Sequence, residues 1–135
     1  MTAKELLQFQ LDDAGYQLDQ VLSGFPEGSA GNSLGMTPMQ TLSHLGEAYV
    51  ATSKQARGEK HDWGTFQLDA ATFEEALEKL RSLRADAIST VLSGNDDALR
   101  AGHAFIVAHD YYHVGQLCAQ RLRCEPDWDA YSIYR

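Results

Sequence analysis

Residues 37–58 read TPMQTLSHLGEAYVATSKQARG, and this one stretch carries both ends of a helix and its buried stripe. Thr37 and Gln40 have the spacing of a capping box: the threonine oxygen accepts from the third helical amide while the glutamine reaches back to the cap. Pro38 takes the first helical position, where a missing N–H costs nothing. Met39, Leu42, Leu45, Tyr49 and Ala56 mark one apolar face, and Gly58 stands where a left-handed residue ends a helix. The same punctuation recurs on either side. Thr2 with Glu5 and Thr72 with Glu75 are two more capping boxes, and Gly24 and Gly94 are two more stops. Asn95 or Asp96 restarts the chain and Pro126 ends the last segment. The spacing predicts helices over 3–23, 37–57, 72–93 and 96–124.

Periodicity agrees with the caps. Leu7, Leu11, Ala14, Leu18, Val21 and Phe25 form a single stripe at spacings of three and four, and Phe73, Leu77, Leu80, Ala87, Ile88 and Val91 form another. No segment alternates with the period of two that a strand needs. The expected fold is an all-α four-helix bundle, a single domain over residues 1–135. Nineteen acids against eleven bases give a net charge of −8. No cluster of Lys and Arg is present to neutralise phosphates, so neither nucleic acid nor an anionic membrane surface is an expected partner. No apolar run approaches the ~18–20 residues of a membrane span. No secretion signal is read at the N-terminus. Cys118 and Cys124 on one helix would sit about 9 Å apart along its axis, too far for a disulfide. A reducing cytoplasm is the expected compartment.

Gly94 makes a tight corner, which sets the third and fourth helices side by side and antiparallel. The stretches 24–36 and 58–71 are long enough to cross the ~30 Å length of a helix. Trp63, Phe66 and Leu68 predict that the second of these packs against the bundle. The fourth helix departs from a plain apolar stripe. Phe105, His109, Tyr112, His113, Gln116 and Gln120 fall within about a third of its circumference. His109 and His113, spaced i and i+4, can place two imidazole nitrogens on one metal ion. His44 is a third candidate, although it flanks its own stripe by about 100°. An inward imidazole pair is also what a hydrogen-bonded core looks like, and spacing alone does not separate the two. His61 and His103 are expected at the surface. Glu47 is the acid closest to His44 in sequence, but it points away from the core stripe.

His44-Leu45 on the second helix and His109-Asp-Tyr-Tyr-His113-Val-Gly-Gln116-Leu on the fourth resemble the DinB/YfiT-like metalloenzymes. The resemblance implies a divalent ion on His44, His109 and His113, and it implies an up-down-down-up bundle with the crossover between helices two and three. Ligand levels point the same way. His44 lies roughly 10 Å into its helix, and only an antiparallel fourth helix brings a residue near Gly115 to that height. The ion would then lie where helix two starts, at the end reached by the 24–36 loop, the crossover and the aromatic tail (Trp128, Tyr131, Tyr134). Three imidazoles suit zinc, nickel, copper or iron, with zinc or nickel expected here. Relatives of this kind include hydrolases and transferases that use low-molecular-weight thiols. Tyr112 and Gln116, on the ligand face, are assigned to supporting the ligands or orienting a small-molecule substrate. Two readings stay open: a metal-dependent hydrolase or thiol transferase, and a non-catalytic, stress-related protein that binds a metal or small ligand. Val107, Tyr111, Val114 and Cys118 lie about 180° from His109. This second apolar face predicts a homodimer through helix four.

Overall fold

The computed structural model describes residues 1–135 and contains four helices and no strand. They are α1 (Ala3–Leu22), α2 (Pro38–Ala56), α3 (Phe73–Leu92) and α4, which runs as Asp96–Gly102, a π-helical turn His103–Val107, and Ala108–Cys124. No helix is long and apolar enough to cross a membrane. The expected ends hold to within a residue or so because the caps form. Both halves of the boxes at Thr2 and Thr37 are present. At Thr72 only half forms: Thr72 accepts from Glu75, but the Glu75 carboxylate reaches past the cap to the Ala71 N–H. Gly24 and Gly58 adopt the left-handed conformation, with φ of 66° and 77°. Gly94 does not, and its reason is space. A Cβ there would lie 2.4 Å from Cβ of Ala98, so only glycine lets the corner close this tightly.

The core is one cluster of 20 buried residues contributed by all four helices, with Leu11, Leu42, Leu45, Tyr49, Ile106 and Leu117 fully shielded. The α1 stripe from Leu7 to Val21 is buried throughout, as is Phe25 just beyond the helix. The π-turn explains why α4 keeps its buried face across its length. One inserted residue rotates the remainder of the helix by about 100°, and Ala98, Ala101 and Gly102 before the turn are buried along with Ile106, Asp110 and His113 within and after it.

The second apolar face of α4 is covered within the chain. Val107 and Val114 are each 3% exposed, Tyr111 and Cys118 are half-buried, and the Tyr111 hydroxyl donates to Asp13 of α1 at 2.5 Å. The surface that suggested a homodimer through helix four is therefore the α1–α4 contact. A helical wheel counts apolar stripes but does not say how many neighbours a helix has inside its own bundle.

The connections are tied down by side chains. Arg121, 6% exposed, donates to the Val21 and Ser23 carbonyls at the end of α1 at 2.9 and 2.7 Å. Gln120 donates to the Ala30 carbonyl at 2.8 Å and Arg123 to that of Gly31 at 3.0 Å, so the 24–36 loop is held to the end of α4. Residues 61–68 are held along α2. Glu47 accepts from the Gly64 N–H at 2.9 Å, and Ser43 accepts from the Leu68 N–H at 3.1 Å. Phe66 and Leu68 are half-buried there, as expected, but Trp63 stays 62% exposed. Trp128 stays at the expected end, half-buried with the Arg121 guanidinium 4.5 Å from its ring centre, but the rest of the aromatic tail departs from expectation. Ile133 is its buried anchor, Arg135 lies over Tyr16 of α1, and Tyr131 and Tyr134 project into solvent. The tail packs on α1, where a stacking partner and apolar cover are present, and not at the histidines. Cys118 and Cys124 are free thiols.

Candidate metal centre

The bundle brings His44, His109 and His113 together, with one ring nitrogen from each within 4.8 Å of the others. The off-stripe position of His44 leaves it exposed on the α2 surface, His109 is half-buried, and His113 is buried. The three imidazoles therefore sit in the seam between α2 and α4, open on the His44 side. Nε2 of His109 lies 3.1 Å from Nε2 of His44 and 3.1 Å from Nε2 of His113. An imidazole nitrogen has one in-plane site, which holds either a proton or a lone pair. It can donate to one of these neighbours or accept from one, but it cannot serve both. A cation placed among the three nitrogens accepts a lone pair from each. Two nitrogens bonded to one zinc-sized ion lie about 2.9 Å apart at a right angle and about 3.3 Å apart at the tetrahedral angle. The observed 3.1 Å falls between these values, and the donor set fits a divalent transition ion.

The protonation state suits this chemistry. Burial first, and then the neighbouring His44, brings the His109 pKa down to about 4. Burial followed by His109 and His44 brings His113 to about 4 as well, opposed by the nearby Gln116 amide. Both rings are neutral near pH 7, as ligands must be. Their Nδ1 atoms are buried without a protein partner, so packing orients the rings. Tyr112 stands edge-on to His113 with ring centroids 5.1 Å apart.

Tyr112 is 56% exposed beside the ligands, and Gln116 donates to its hydroxyl at 3.4 Å. Both assigned helpers are thus at the seam. His103 is at the surface, as expected. His61 is not. Its side chain is only 5% exposed, with Nε2 3.0 Å from Glu47 and its ring edge-on to Trp63. A linker position suggested exposure, but a carboxylate on α2 recruits the imidazole into the crossover contact. This also accounts for Glu47, which is committed to His61 and to the Gly64 and Phe66 amides.

One cluster beside the ligands was not anticipated from the sequence. Asp110, next in sequence to His109, is fully buried and accepts from the Tyr49 hydroxyl on α2 and from Nε of Arg84 on α3, the latter at 2.9 Å. Nη2 of Arg84 donates to the Leu11 carbonyl of α1 at 2.8 Å. Burial pushes the Asp110 carboxyl up against the pull of Arg84, and it pushes the Tyr49 phenol well above its ordinary range, reinforced by Asp110. The only sequence signal was an acid inside the inward H-D-Y-Y-H stretch. Its partners lie 61 and 26 residues away.

Comparison of the chain with protein-family models, with curated proteins and with solved structures finds no match.

Proposed function

We propose that this chain is a metalloprotein of the DinB/YfiT-like kind. It would hold one divalent ion, zinc or nickel, on His44, His109 and His113, and act on a small molecule by hydrolysis or by transfer involving a low-molecular-weight thiol. The kind of activity follows the sequence resemblance, and one observation carries the metal: Nε2 of His109 is 3.1 Å from Nε2 of both other histidines, an arrangement that a cation satisfies and hydrogen bonding does not. When bound, such an ion supplies Lewis acidity, which can polarise a carbonyl, lower the pKa of water toward ~7 or stabilise a thiolate. His44 is at the surface, so a small molecule reaches the ligand set without any opening of the bundle. A groove of about 390 Å³ between α2 and the crossover runs up to His44, walled by Met39, Ser43, Phe66 and Leu68. Tyr112 and Gln116 are placed to orient what enters.

The up-down-down-up order, with 58–71 as the crossover, belongs to the same reading. It is supported by pairs that run in opposite order along α2 and α4: His44 with His113, Tyr49 with Asp110, and Ala56 beside Ala98. One observation favours the non-catalytic alternative, a stress-related protein that only binds metal or a small ligand. Glu47 and Asp110, the acids flanking the ligands in sequence, are both engaged by other groups, which leaves neither free as a general base.

The test is elemental analysis of protein purified without an affinity tag, followed by screens of ester and amide hydrolysis and of small-thiol transfer. Stoichiometric zinc or nickel is expected, and it should be lost in the His109→Ala, His113→Ala double variant. Retention of the ion by that variant after dialysis against a chelator overturns the assignment.

A further inference from the structure

We infer that the buried Tyr49–Asp110–Arg84 cluster is the positioning device of the metal centre, fixing how far α2, which carries His44, stands from the two ligands on α4. This rests on the metal reading above. The ligands arrive on two helices, and nothing within the triad itself sets the spacing between them. Neither buried Nδ1 of the α4 pair has a partner within hydrogen-bond distance, and Gln116, which acts on the His113 ring, lies on α4 itself and ties nothing to α2, whereas ligating imidazoles are usually steered by a carbonyl or carboxylate. The nearby polar anchor is the Asp110 carboxylate. One of its oxygens takes the hydroxyl of Tyr49, five residues beyond His44 on α2, and the other takes Nε of Arg84 on α3 at 2.9 Å. Arg84 also reaches Leu11 of α1 at 2.8 Å, so a single carboxylate refers all four helices to one point. His109 is its immediate chain neighbour and His113 is three residues on.

Chemistry and burial favour a registry role. Asp110 and Tyr49 are both fully buried. Replacing a buried ion pair by apolar side chains is often neutral or stabilising, so such pairs are weak sources of stability, and their best-attested use is to specify register. A hydrogen bond also carries the direction and length that apolar packing lacks. Gly15 on α1 is part of the device, because a Cβ there would lie 2.6 Å from Nη1 of Arg84. Sliding α2 by one helical turn would carry Tyr49 about 5.4 Å from its acceptor and His44 equally far from its partners. The cluster and the ligand set therefore share one register.

The test uses Tyr49→Phe, which removes the hydroxyl and keeps the ring, and Asp110→Asn, which keeps the shape and removes the charge. Leu7→Ala is the control. It opens the core beside Gly102 and Val91, about two turns of α4 from His109, and supplies none of the cluster's hydrogen bonds. The full chain is titrated with cobalt(II) and zinc, with the visible cobalt spectrum and the zinc affinity as readouts. Positioning predicts at least tenfold weaker zinc binding and an altered cobalt spectrum in Tyr49→Phe, with a larger loss in Asp110→Asn. The Leu7→Ala protein should bind within about threefold of wild type with an unchanged spectrum. Equal losses in Leu7→Ala and Tyr49→Phe would make the cluster merely structural and overturn the inference. So would an unchanged affinity and spectrum in Tyr49→Phe, or in a folded Asp110→Asn. A wild-type chain that takes up neither metal overturns the metal reading itself, and this inference with it.

Discussion

Two glycines in helix interiors should respond to alanine with opposite signs. In the interior of a helix, glycine costs about 0.5–1 kcal/mol relative to alanine through backbone entropy, so Gly→Ala is stabilising where space allows. Gly115 on α4 is exposed, and a Cβ there would have nothing within 4 Å. Gly115→Ala should therefore gain about 0.5–1 kcal/mol. At Gly15 the new Cβ would stand 2.6 Å from Nη1 of Arg84. Restoring an ordinary contact of 3.4 Å requires the guanidinium to move by about 0.8 Å. A shift of that size away from their acceptors lengthens the two hydrogen bonds that hold it, 2.9 Å to Asp110 and 2.8 Å to Leu11, to as much as about 3.7 and 3.6 Å, beyond hydrogen-bond range. Charge-assisted bonds contribute about 1.5–3 kcal/mol each, and the alanine returns about 1, so the net cost is about 2–5 kcal/mol. With a urea slope of about 1.5 kcal/mol per molar, the midpoint should fall by more than about 1 M in Gly15→Ala and rise by about 0.5 M in Gly115→Ala. A Gly15→Ala protein as stable as Gly115→Ala would refute the reasoning, because it would mean that Arg84 is not held where its hydrogen bonds place it.

Zinc at a hundredfold excess over its dissociation constant should raise unfolding free energy by about 2.7 kcal/mol, a melting shift of roughly 8 °C, and His109→Ala should abolish the shift. An equal shift in the variant would place the ion elsewhere. The metal-free protein should lose stability as pH falls from about 6.5 to about 4: folded His109 and His113 titrate at about 4, so across that window the unfolded chain binds more protons. Subtracting the acid limb of a His109→Gln, His113→Gln variant isolates this slope, and identical limbs would contradict it. Val114→Glu places a carboxylate in the α1–α4 contact, where Val114 is 3% exposed. It should destabilise the fold by about 3 kcal/mol or more in urea unfolding, whereas a change of oligomeric state at unchanged stability would restore the dimer expectation.

The sequence alone determined what depends on neighbours a few residues apart. Thr2, Thr37, Pro38, Gly24 and Gly58 act through their own backbone turn, so the four helices and most of their ends were legible without any tertiary information. The apolar stripe of α1 was legible because helical period maps directly onto a buried face. The candidate ligands were legible for the same reason: His109 and His113 share one face, and the level of His44 along its helix selected their height.

Tertiary structure decided everything that depends on which surface faces which. Asp110 read as an ordinary acid until Tyr49 and Arg84, far away in sequence, closed on it. His61 read as a surface linker residue until Glu47 drew it in. The second apolar face of α4 read as an intermolecular surface because a single helix does not state how many neighbours it has, and α1 covers it. Gly94 read as a left-handed stop, and it is needed instead for the approach of Ala98. Local hydrogen bonds and periodicity are properties of a segment. Burial, ion pairing and the meeting of His44 with His109 are properties of the packed assembly, where distance along the chain no longer measures distance in space.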